Sequence, residues 1–529
     1  MKTLLRLLVA AVVAVAFGGP AIAETPADTL VIAKQIDDII TLDPAEVFEF
    51  SGGEVIANVY DRILMYEPED TETLAGGVAE SWTVSDDGKT ITFKIRPGLT
   101  FHSGRAVTAA DVAFSLQRVI KLDLTPAFIL TQFGWTKDNV ESMVQAIDDA
   151  TFQITTEQLL ATTFVLNCLS AGVASVVDRE EVLAHEVDGD LGHEWLKSNS
   201  AGSGAFKLVV WKANDSVVLE ANEAYRHGAP KLKRVVLRHI AEPTTQRLQI
   251  EKGDIDIARN LGADQIAALE GNADVVVGTY PKADVFYLGL SQKYEPLTKP
   301  QVRQAIRWLV DYQGMVDTFL KGSFKVHQAF WPSGFFASYT ETPYHLDVDK
   351  AKALLAEAGY PDGFDLKFDC INLSPQQEIC QNLQSTMAQA GIRVEILPGD
   401  SKQVITKYRA RNHEMVSLYW SPDYMDPHSN ADTFARNPDN SDEAQSKPLA
   451  WRNSWDIPEL TAEANAAVLE RDADKRAAMY IEMQKKIQDD GPFVIMFQST
   501  EQAALRSNIS GFVSGPTFDT VFYRNITKS

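Results

Sequence analysis

Apolar and polar residues alternate on both sides of Asp87-Gly88 in the segment "SWTVSDDGKTITFKIRPG", and this pattern predicts a β-hairpin. The next segment, "TAADVAFSLQRVI" (108–120), repeats apolar residues at helical spacing after a threonine that can cap a helix. An earlier segment, "SGGEVIANVYDRIL" (51–64), has similar spacing, with Ser51 as the expected cap. Three strand-like runs follow within residues 204–240. The first half therefore predicts short strands combined with amphipathic helices.

From about residue 283 the pattern changes to strands that alternate with helices. The strand "VFYLGLS" precedes a predicted helix over residues 299–320. The strand "FDLKFDC", the helix over 376–391 and the strand "IRVEILPG" follow in that order, and "MVSLYW" is a further strand. A closing helix is predicted over about 457–489. This alternation predicts mixed or parallel sheets with helices on both faces.

The first 23 residues predict a secretory signal peptide. Lys2 and Arg6 give a basic start, "LLVAAVVAVAF" is a short apolar run, and Ala21-Ile22-Ala23 has the small residues of a cleavage site. An uncleaved anchor is the alternative, but eleven apolar residues are too few to span a bilayer. We expect cleavage after Ala23 and an exported protein that does not insert into the membrane.

Length and charge narrow the possibilities further. Removal of the signal peptide from the 529 residues leaves about 506, more than one hydrophobic core usually serves, so two or three packed units are expected. The formal net charge of −23 becomes about −25 without Lys2 and Arg6. Such a surface repels nucleic acid and anionic lipid. Of three cysteines, Cys370 and Cys380 could form a disulfide, which the sequence leaves open, and Cys168 fits a buried apolar position.

The segment "LYWSPDYMDP" (418–427) brings two carboxylates and three aromatic rings together directly after a predicted strand. Its two prolines disfavour a regular element that continues through it, because each lacks a backbone donor and restricts the residue before it. Asp423 and Asp426 could cap turns at Pro422 and Pro427, which is a common use of aspartate. A loop that follows a strand in an α/β fold also suits a ligand cleft. The residues alone leave both interpretations open.

Several segments carry a resemblance to a known family. The region "VAESWTVSDDGKTITFKIRPGLTFHSGRAVTAADVAFSLQRV" resembles the signature of the family 5 extracellular solute-binding proteins, the dipeptide-, oligopeptide- and nickel-binding receptors of ABC importers. The segments "GSGAFKLVVWKANDSVVLEANEAY", "IEKGDIDIA", "VRQAIRWLVDYQGMV", "AKALLAEAGYPDGF" and "MAQAGIRVEI" match further family motifs in the family order. The resemblance covers essentially the whole chain after the signal peptide.

The resemblance implies an α/β fold of the type II periplasmic binding proteins, with two lobes, an extra β-rich subdomain and a ligand cleft between the lobes. Carried over to this chain, the first lobe is expected to consist of residues 24–65, 190–282 and 491–529. The accessory subdomain of that lobe would be residues 66–189, and the second lobe residues 283–490. Lobe closure over the ligand is the expected signal to a permease.

The resemblance also implies a role for the 418–427 segment. "WSPDYMDP" is similar to a stretch of the peptide binders whose first aspartate pairs with the α-ammonium of the peptide. That position is Asp423, with Trp420 alongside, whereas Asp426 is expected to be structural. Phe48, Glu49 and Phe50 lie where family members present a loop to the ligand, and they are weaker candidates. A separate set could meet a ligand carboxylate, although a solvated basic face is the favoured interpretation: Arg409, Arg411 and His413.

The sequence offers little support for catalysis. It has no phosphate-binding Gly-x-x-x-x-Gly-Lys-(Ser/Thr) loop, so ATP hydrolysis would belong to a partner. It also lacks a Gly-x-Ser-x-Gly elbow and histidines at metal-ligand spacing. His102 and His428 are single residues that fit packing or surface positions. No cofactor or metal is expected.

The favoured interpretation is a monomeric receptor, not an enzyme, that captures a di- or oligopeptide and delivers it to an ABC permease and its ATPase subunits. One alternative keeps this role for an opine, a nickel chelate, a glycan fragment or a glutathione-like solute. A secreted hydrolase is the other alternative.

Overall fold

The computed structural model describes residues 25–67 and 70–529. The predicted signal peptide, residues 1–23, therefore lies outside the described residues. Within the described part of the chain, no helix combines the length and the apolar character that crossing a bilayer requires.

Strands occur along the whole described chain. In chain order they are β1 (Thr29–Lys34), β2 (Leu64–Glu67), β3 (Asp70–Gly76), β4 (Ala79–Val84), β5 (Thr90–Ile95), β6 (Val144–Asp148), β7 (Thr151–Thr155), β8 (Phe206–Lys212), β9 (Ser216–Ala221), β10 (Arg234–His239), β11 (Ile257–Ala258), β12 (Val275–Leu290), β13 (Phe324–Val326), β14 (Asp365–Ile371), β15 (Arg393–Gly399), β16 (Met415–Trp420), β17 (Phe493–Arg506), β18 (Ile509–Ser510) and β19 (Thr527–Lys528).

Eleven of these strands form one mixed sheet in the order β15-β14-β16-β12-β17-β11-β1-β10-β9-β8, with β13 also paired to β17. The ladders β14–β15, β14–β16, β1–β11 and β1–β10 are parallel. Strands β4, β5, β7 and β6 make a separate antiparallel sheet, which contains the predicted hairpin β4–β5. The fold is thus the expected α/β arrangement with an additional β-rich subdomain.

Helices cover the sheets. In chain order they are α1 (Phe50–Val59), α2 (Ala109–Leu122), α3 (Phe128–Thr131), α4 (Val140–Met143), α5 (Thr162–Cys168), α6 (Arg179–Ala184), α7 (His193–Leu196), α8 (Pro243–Lys252), α9 (Ala263–Ala268), α10 (Pro300–Trp308), α11 (Tyr312–Asp317), α12 (Val348–Glu357), α13 (Gln376–Gln389), α14 (Ser401–Arg409), α15 (Pro427–Phe434), α16 (Leu449–Arg452), α17 (Pro458–Ala467) and α18 (Ala473–Asp490).

Three predicted helices differ from the structure. The predicted helix over 299–320 is two helices, α10 and α11, and the closing helix is also two, α17 and α18. Both second helices begin after an aspartate, Asp311 or Asp472, whose side chain accepts a hydrogen bond from the first turn. The helix α1 begins at Phe50 and is preceded by Glu49, so Ser51 is not its cap. The Ser51 hydroxyl instead donates to the Gln35 carbonyl oxygen.

Two long strands, β12 and β17, join the lobes. The first part of β12 pairs with the end of β17, next to β11 and the first-lobe strands. The last part of β12 pairs with the start of β17 and with β16 of the second lobe. The ladder between β12 and β17 shifts register between Pro281 and Val285. The break in the ladder therefore lies where the chain passes from one lobe to the other.

Separate hydrophobic cores support this arrangement. Along β12, Val285 and Tyr287 pack into one core of the second lobe, whereas Phe286 and Leu288 pack into another. This alternation is expected of a strand that is covered on both faces. Other cores lie around α1, β1 and β10 and in the four-stranded subdomain around Phe93. The residue boundaries proposed for the lobes and the subdomain stay predictions.

A disulfide joins Cys370 at the end of β14 to Cys380 in α13, which answers the question that the sequence left open. Cys168 is buried and has no disulfide partner among the described residues. The disulfide closes the loop that contains Pro375 and Gln376, and both of these residues face the space between the lobes.

Candidate ligand-binding cleft

A cavity of about 360 Å³ lies between the lobes at the crossing of β12 and β17. The first lobe contributes to its wall Lys34, Phe50, Glu54, Arg259 and Asn260. The second lobe contributes Phe286, Phe324, Pro375, Gln376 and Tyr419. Small-molecule sites in proteins usually occupy about 300–1,000 Å³, so this cavity suits a small solute.

Polar side chains of the crossing strands form the floor of the cavity. Lys282 and Asp284 come from β12, and Ser499 and Glu501 come from β17. Residues two apart on a strand point to the same face, so each strand directs a pair into the cavity. The Ser499 hydroxyl donates to Asp284 at 3.1 Å. The β12–β17 ladder shifts register between Pro281 and Val285, and Lys282 and Asp284 lie within this irregular stretch.

An ion-pair network links the floor to the first lobe. Glu54 pairs with Lys34 and with Arg259, both at 2.5 Å. Glu501 pairs with Arg259 at 2.5 Å and with Lys282 at 3.3 Å. Burial by itself raises the pKa of each glutamate, but the neighbouring cations outweigh burial and lower the pKa of both. Glu54 and Glu501 are therefore ionised and held by their partners.

Aromatic side chains form the walls of the cavity and meet across the lobes. The rings of Phe50 and Tyr419 lie 6.3 Å apart, and those of Phe50 and Phe518 lie 5.4 Å apart. Phe50 is 37% exposed and Tyr419 is 45% exposed. Both rings face the cavity, so they offer apolar area to a ligand. This wall combines a residue predicted from the sequence, Phe50, with one that was not predicted, Tyr419.

Asp423 lies in the loop between β16 and α15, beside a narrow space that shares Phe518 with the main cavity. Its carboxylate is half-buried and has no hydrogen-bond or ion-pair partner among the described residues. Only its backbone N–H is bound, donating to the Ser429 hydroxyl at 2.8 Å. Burial, with a contribution from Asp432, raises the pKa of Asp423 to about 8. The site therefore holds a carboxylate without a compensating cation.

Asp426 has a different environment, although it lies three residues away. Its carboxylate pairs with Arg476 at 2.6 and 2.8 Å and accepts the backbone N–H of His428, so it caps α15. The charge of Arg476 overcomes the effect of burial and lowers the pKa of Asp426. Asp426 is structural, as the sequence suggests. His428 is also buried, where its Nδ1 lies 3.0 Å from the Tyr480 hydroxyl.

The other predicted ligand residues do not line the main cavity. Trp420 points to the opposite face of β16 from Tyr419 and packs near Phe434, at 6.5 Å between rings. Its indole nitrogen is buried and has no hydrogen-bond partner among the described residues. Phe48 packs against Phe128, with ring centroids 5.8 Å apart. Glu49 precedes α1, and burial raises the pKa of its carboxyl.

The expected solvated basic face is wrong for two of its three residues. Arg411 is buried, pairs with Asp442 at 2.9 Å and lies over the ring of Trp451. His413 is buried beside Asn453, with 3.0 Å between Nε2 and the amide oxygen. Arg409 is exposed. The partners of Arg411 and His413 lie 29 to 43 residues later in the chain, so the local sequence pattern could not indicate their burial.

Sequence reasoning missed most of the charged residues of the cavity. Two strands with largely apolar residues carry these charged side chains: Lys282 and Asp284 on β12, and Glu501 on β17. Charged residues at alternate positions of such a strand share one face, and this pattern could have indicated a polar site. Arg259 follows the short strand β11. The missing information was which strands pair, because β12 and β17 lie more than 200 residues apart along the chain.

Comparison with known proteins gives one consistent family. The sequence model described as "Bacterial extracellular solute-binding proteins, family 5 Middle" matches residues 73–442. A probable D,D-dipeptide-binding periplasmic protein, DdpA, of Escherichia coli strain K12 is 31% identical over 509 residues, which cover 95% of each chain. The glutathione-binding protein GsiB of Pectobacterium atrosepticum is 25% identical over 498 residues, 91% of this chain and 90% of that protein.

Solved structures share the fold. The ABC transporter-associated periplasmic binding protein DppA of Helicobacter pylori, solved in complex with the peptide STSA, matches with a TM-score of 0.79 at 23% identity. The match covers 94% of this chain and 98% of that chain. The similarity in structure therefore extends over nearly the whole molecule.

Proposed function

Because the chain belongs to the family 5 bacterial extracellular solute-binding proteins, we propose that it captures a short peptide with a free amino terminus between its lobes. The family consists of receptors of ABC importers and not of enzymes, so the bound solute is released unchanged. The class of solute is the part that we propose. It is supported by the unpaired carboxylate of Asp423 beside the cleft.

The argument from Asp423 is electrostatic. A carboxylate that is removed from water without a cation is unfavourable, and its raised pKa expresses this cost. An α-ammonium group would supply the missing charge and up to three hydrogen-bond donors. Asp426, in contrast, already has Arg476 and needs no ligand. We therefore propose Asp423 as the partner of the peptide amine.

The cavity limits the size of the peptide. About 360 Å³ is near the lower end of the range for small-molecule sites, which favours a dipeptide or a similarly short peptide. The name of the E. coli relative, a probable D,D-dipeptide-binding protein, supports the same size class. Phe50 and Tyr419 would cover an apolar part of the ligand. We propose supporting roles for Trp420, whose buried indole N–H has no partner among the described residues, and for Phe48 and Glu49, which flank the wall that Phe50 forms.

Closure would connect binding to transport. Phe50 of the first lobe and Tyr419 of the second lobe meet across the cleft, so a ligand between them would favour the closed form. We propose that an ABC permease with its ATPase subunits recognises this closed form of a monomeric receptor. We also propose that the signal peptide, cleaved after Ala23, delivers the receptor to the periplasm.

A glutathione-like solute is the second candidate, because one full-length relative is named as a glutathione-binding protein. Glutathione also carries a free α-amine, so Asp423 could meet it in the same way. A thermal-shift panel separates the candidates, since ligand binding raises stability by RT ln(1 + [L]/Kd). The panel should contain L- and D-dipeptides, a tetrapeptide, glutathione and an opine. We expect the largest shift for a dipeptide, whereas a shift only for the opine would contradict the proposal.

A further inference from the structure

The cations that line the main cavity are already used by the protein. The Lys282 ammonium has three donors, and it has three acceptors: Glu501 at 3.3 Å, the Ser514 hydroxyl at 2.9 Å and the Gly515 carbonyl at 2.6 Å. Lys34 is held by Glu54. The donor groups of Lys282 and Lys34 are therefore engaged by protein atoms before any ligand arrives.

The guanidinium of Arg259 is committed in the same way. It donates to both oxygens of Glu501, at 2.5 and 2.9 Å, to Glu54 at 2.5 Å and to the Ser514 hydroxyl at 3.1 Å. Such charge-assisted bonds are strong, and a ligand carboxylate would have to displace one of them. A ligand carboxylate would therefore compete with bonds that the protein already makes.

Asp284 is the exception in the floor. It accepts a hydrogen bond from Ser499, has the Ser421 hydroxyl as a second polar neighbour, and makes no ion pair with any described residue. An ionised carboxylate can accept about four hydrogen bonds, so most of its capacity is unused. Its neighbour Lys282 is turned toward Glu501 and Ser514. Burial raises the pKa of the Asp284 carboxyl although Lys282 lowers it, as expected for a group that lacks a direct cationic partner.

We propose that Asp284 is a specificity residue that selects peptides with a second positive charge, carried by a basic side chain such as that of lysine or ornithine. This inference rests on the proposed function, in which Asp423 takes the peptide amine. Asp284 lines the main cavity, whereas Asp423 lines the second space that shares Phe518 with it, so the two carboxylates are separate positions. Phe50 and Tyr419 would pack along the methylene groups of the basic side chain.

Calorimetry with matched dipeptides tests the inference. The pairs are Ala-Lys with Ala-norleucine and Lys-Ala with norleucine-Ala, because norleucine keeps a linear side chain and lacks the charge. For wild-type protein we expect at least one lysine peptide to bind tenfold or more tightly than its norleucine partner. Acetylation of the lysine side chain should remove the preference.

The variant Asp284→Asn should lose the preference, so that lysine and norleucine peptides bind it within about twofold of each other. Asp86→Asn, at an exposed position in the turn of the β4–β5 hairpin, is the matched control and should retain the preference. If Asp284→Asn does not fold, Asp284→Ser is the second variant, and it should remove the preference for lysine in the same way. Equal affinity for charged and neutral side chains, or a preference that survives in Asp284→Asn, would overturn the inference. Absence of binding by every dipeptide would instead contradict the proposed function.

Discussion

Replacing Asp423 by asparagine should weaken the binding of a dipeptide with a free amine by about 2–5 kcal/mol. This is the usual effect of removing one partner from a buried charge pair, and it corresponds to roughly a 30- to 5,000-fold rise in Kd. Asparagine and aspartate have side chains of nearly the same size, so the loss of peptide affinity reports the charge and not the packing. The carboxylate has no protein partner among the described residues that could compensate for the ligand.

The raised pKa of Asp423 adds a pH dependence to this prediction. The free protein carries a carboxyl with a pKa of about 8, and the pair with an ammonium needs it ionised. Wild-type affinity should therefore rise by up to about tenfold per pH unit from pH 6 to 8. Above pH 8 the peptide amine, with a pKa of about 8, loses its proton and affinity should fall. Asp423→Asn should lack the rise on the acidic side.

Isothermal titration calorimetry at pH 6, 7, 8 and 9 measures both effects. N-acetylation of the peptide should reduce the binding free energy of wild-type protein by about as much as the substitution does. Acetylation should change the binding free energy of Asp423→Asn little, since both changes remove the same interaction. The control Asp86→Asn should behave as wild type. Equal wild-type affinity for free and acetylated peptides would refute the role of Asp423 as the amine partner.

Four further outcomes are expected. In the ligand-free protein, the native state keeps a proton on Asp423 up to about pH 8, whereas the unfolded state releases it above about pH 4. The free energy of unfolding should therefore fall as the pH rises from 4 to 8. By differential scanning fluorimetry, Asp423→Asn should have a higher melting temperature than wild type at pH 8 but not at pH 4. Asp426→Ala should lower the free energy of unfolding by about 3–5 kcal/mol in urea titrations, because it leaves Arg476 buried without its partner; an unchanged midpoint would contradict this role. The double change of Cys370 and Cys380 to serine should cost about 2–3 kcal/mol of stability for a ten-residue separation and should also weaken peptide binding, because the closed loop lines the cleft. Amidation of the peptide carboxylate should reduce affinity less than acetylation of the amine, since the cavity cations are already paired; the reverse order in calorimetry would show that one of them is available.

Local sequence signals predicted the elements that depend on short-range interactions. The β4–β5 hairpin and the alternation of β14, α13 and β15 follow directly from periodicity and turn residues. Apolar spacing continues through the breaks between α10 and α11 and between α17 and α18, so the pattern alone gave single helices. The available signals for those breaks were two aspartates that cap the second helices, Asp311 and Asp472. Each accepts a hydrogen bond from the backbone N–H three residues later.

The cleft depended on long-range pairing, which one sequence does not reveal. Asp423 and Phe50 were predicted because they belong to segments with a family resemblance. Asp284 and Glu501 become neighbours only when β12 and β17 cross. Ser51 does not cap α1, because its hydroxyl donates a hydrogen bond to the Gln35 carbonyl oxygen. The burial of Arg411 and His413 likewise depends on loops distant in sequence. Side chains that act at the junction of two lobes are therefore the least accessible to local reasoning.

Mass spectrometry of the solute that co-purifies with the exported protein tests the central claim most directly. The protein should be isolated without added ligand, denatured, and the released solute sequenced intact. Our account predicts a short peptide with an unmodified amino terminus and no sign of turnover. A solute without an amine, or the products of its cleavage, would contradict it.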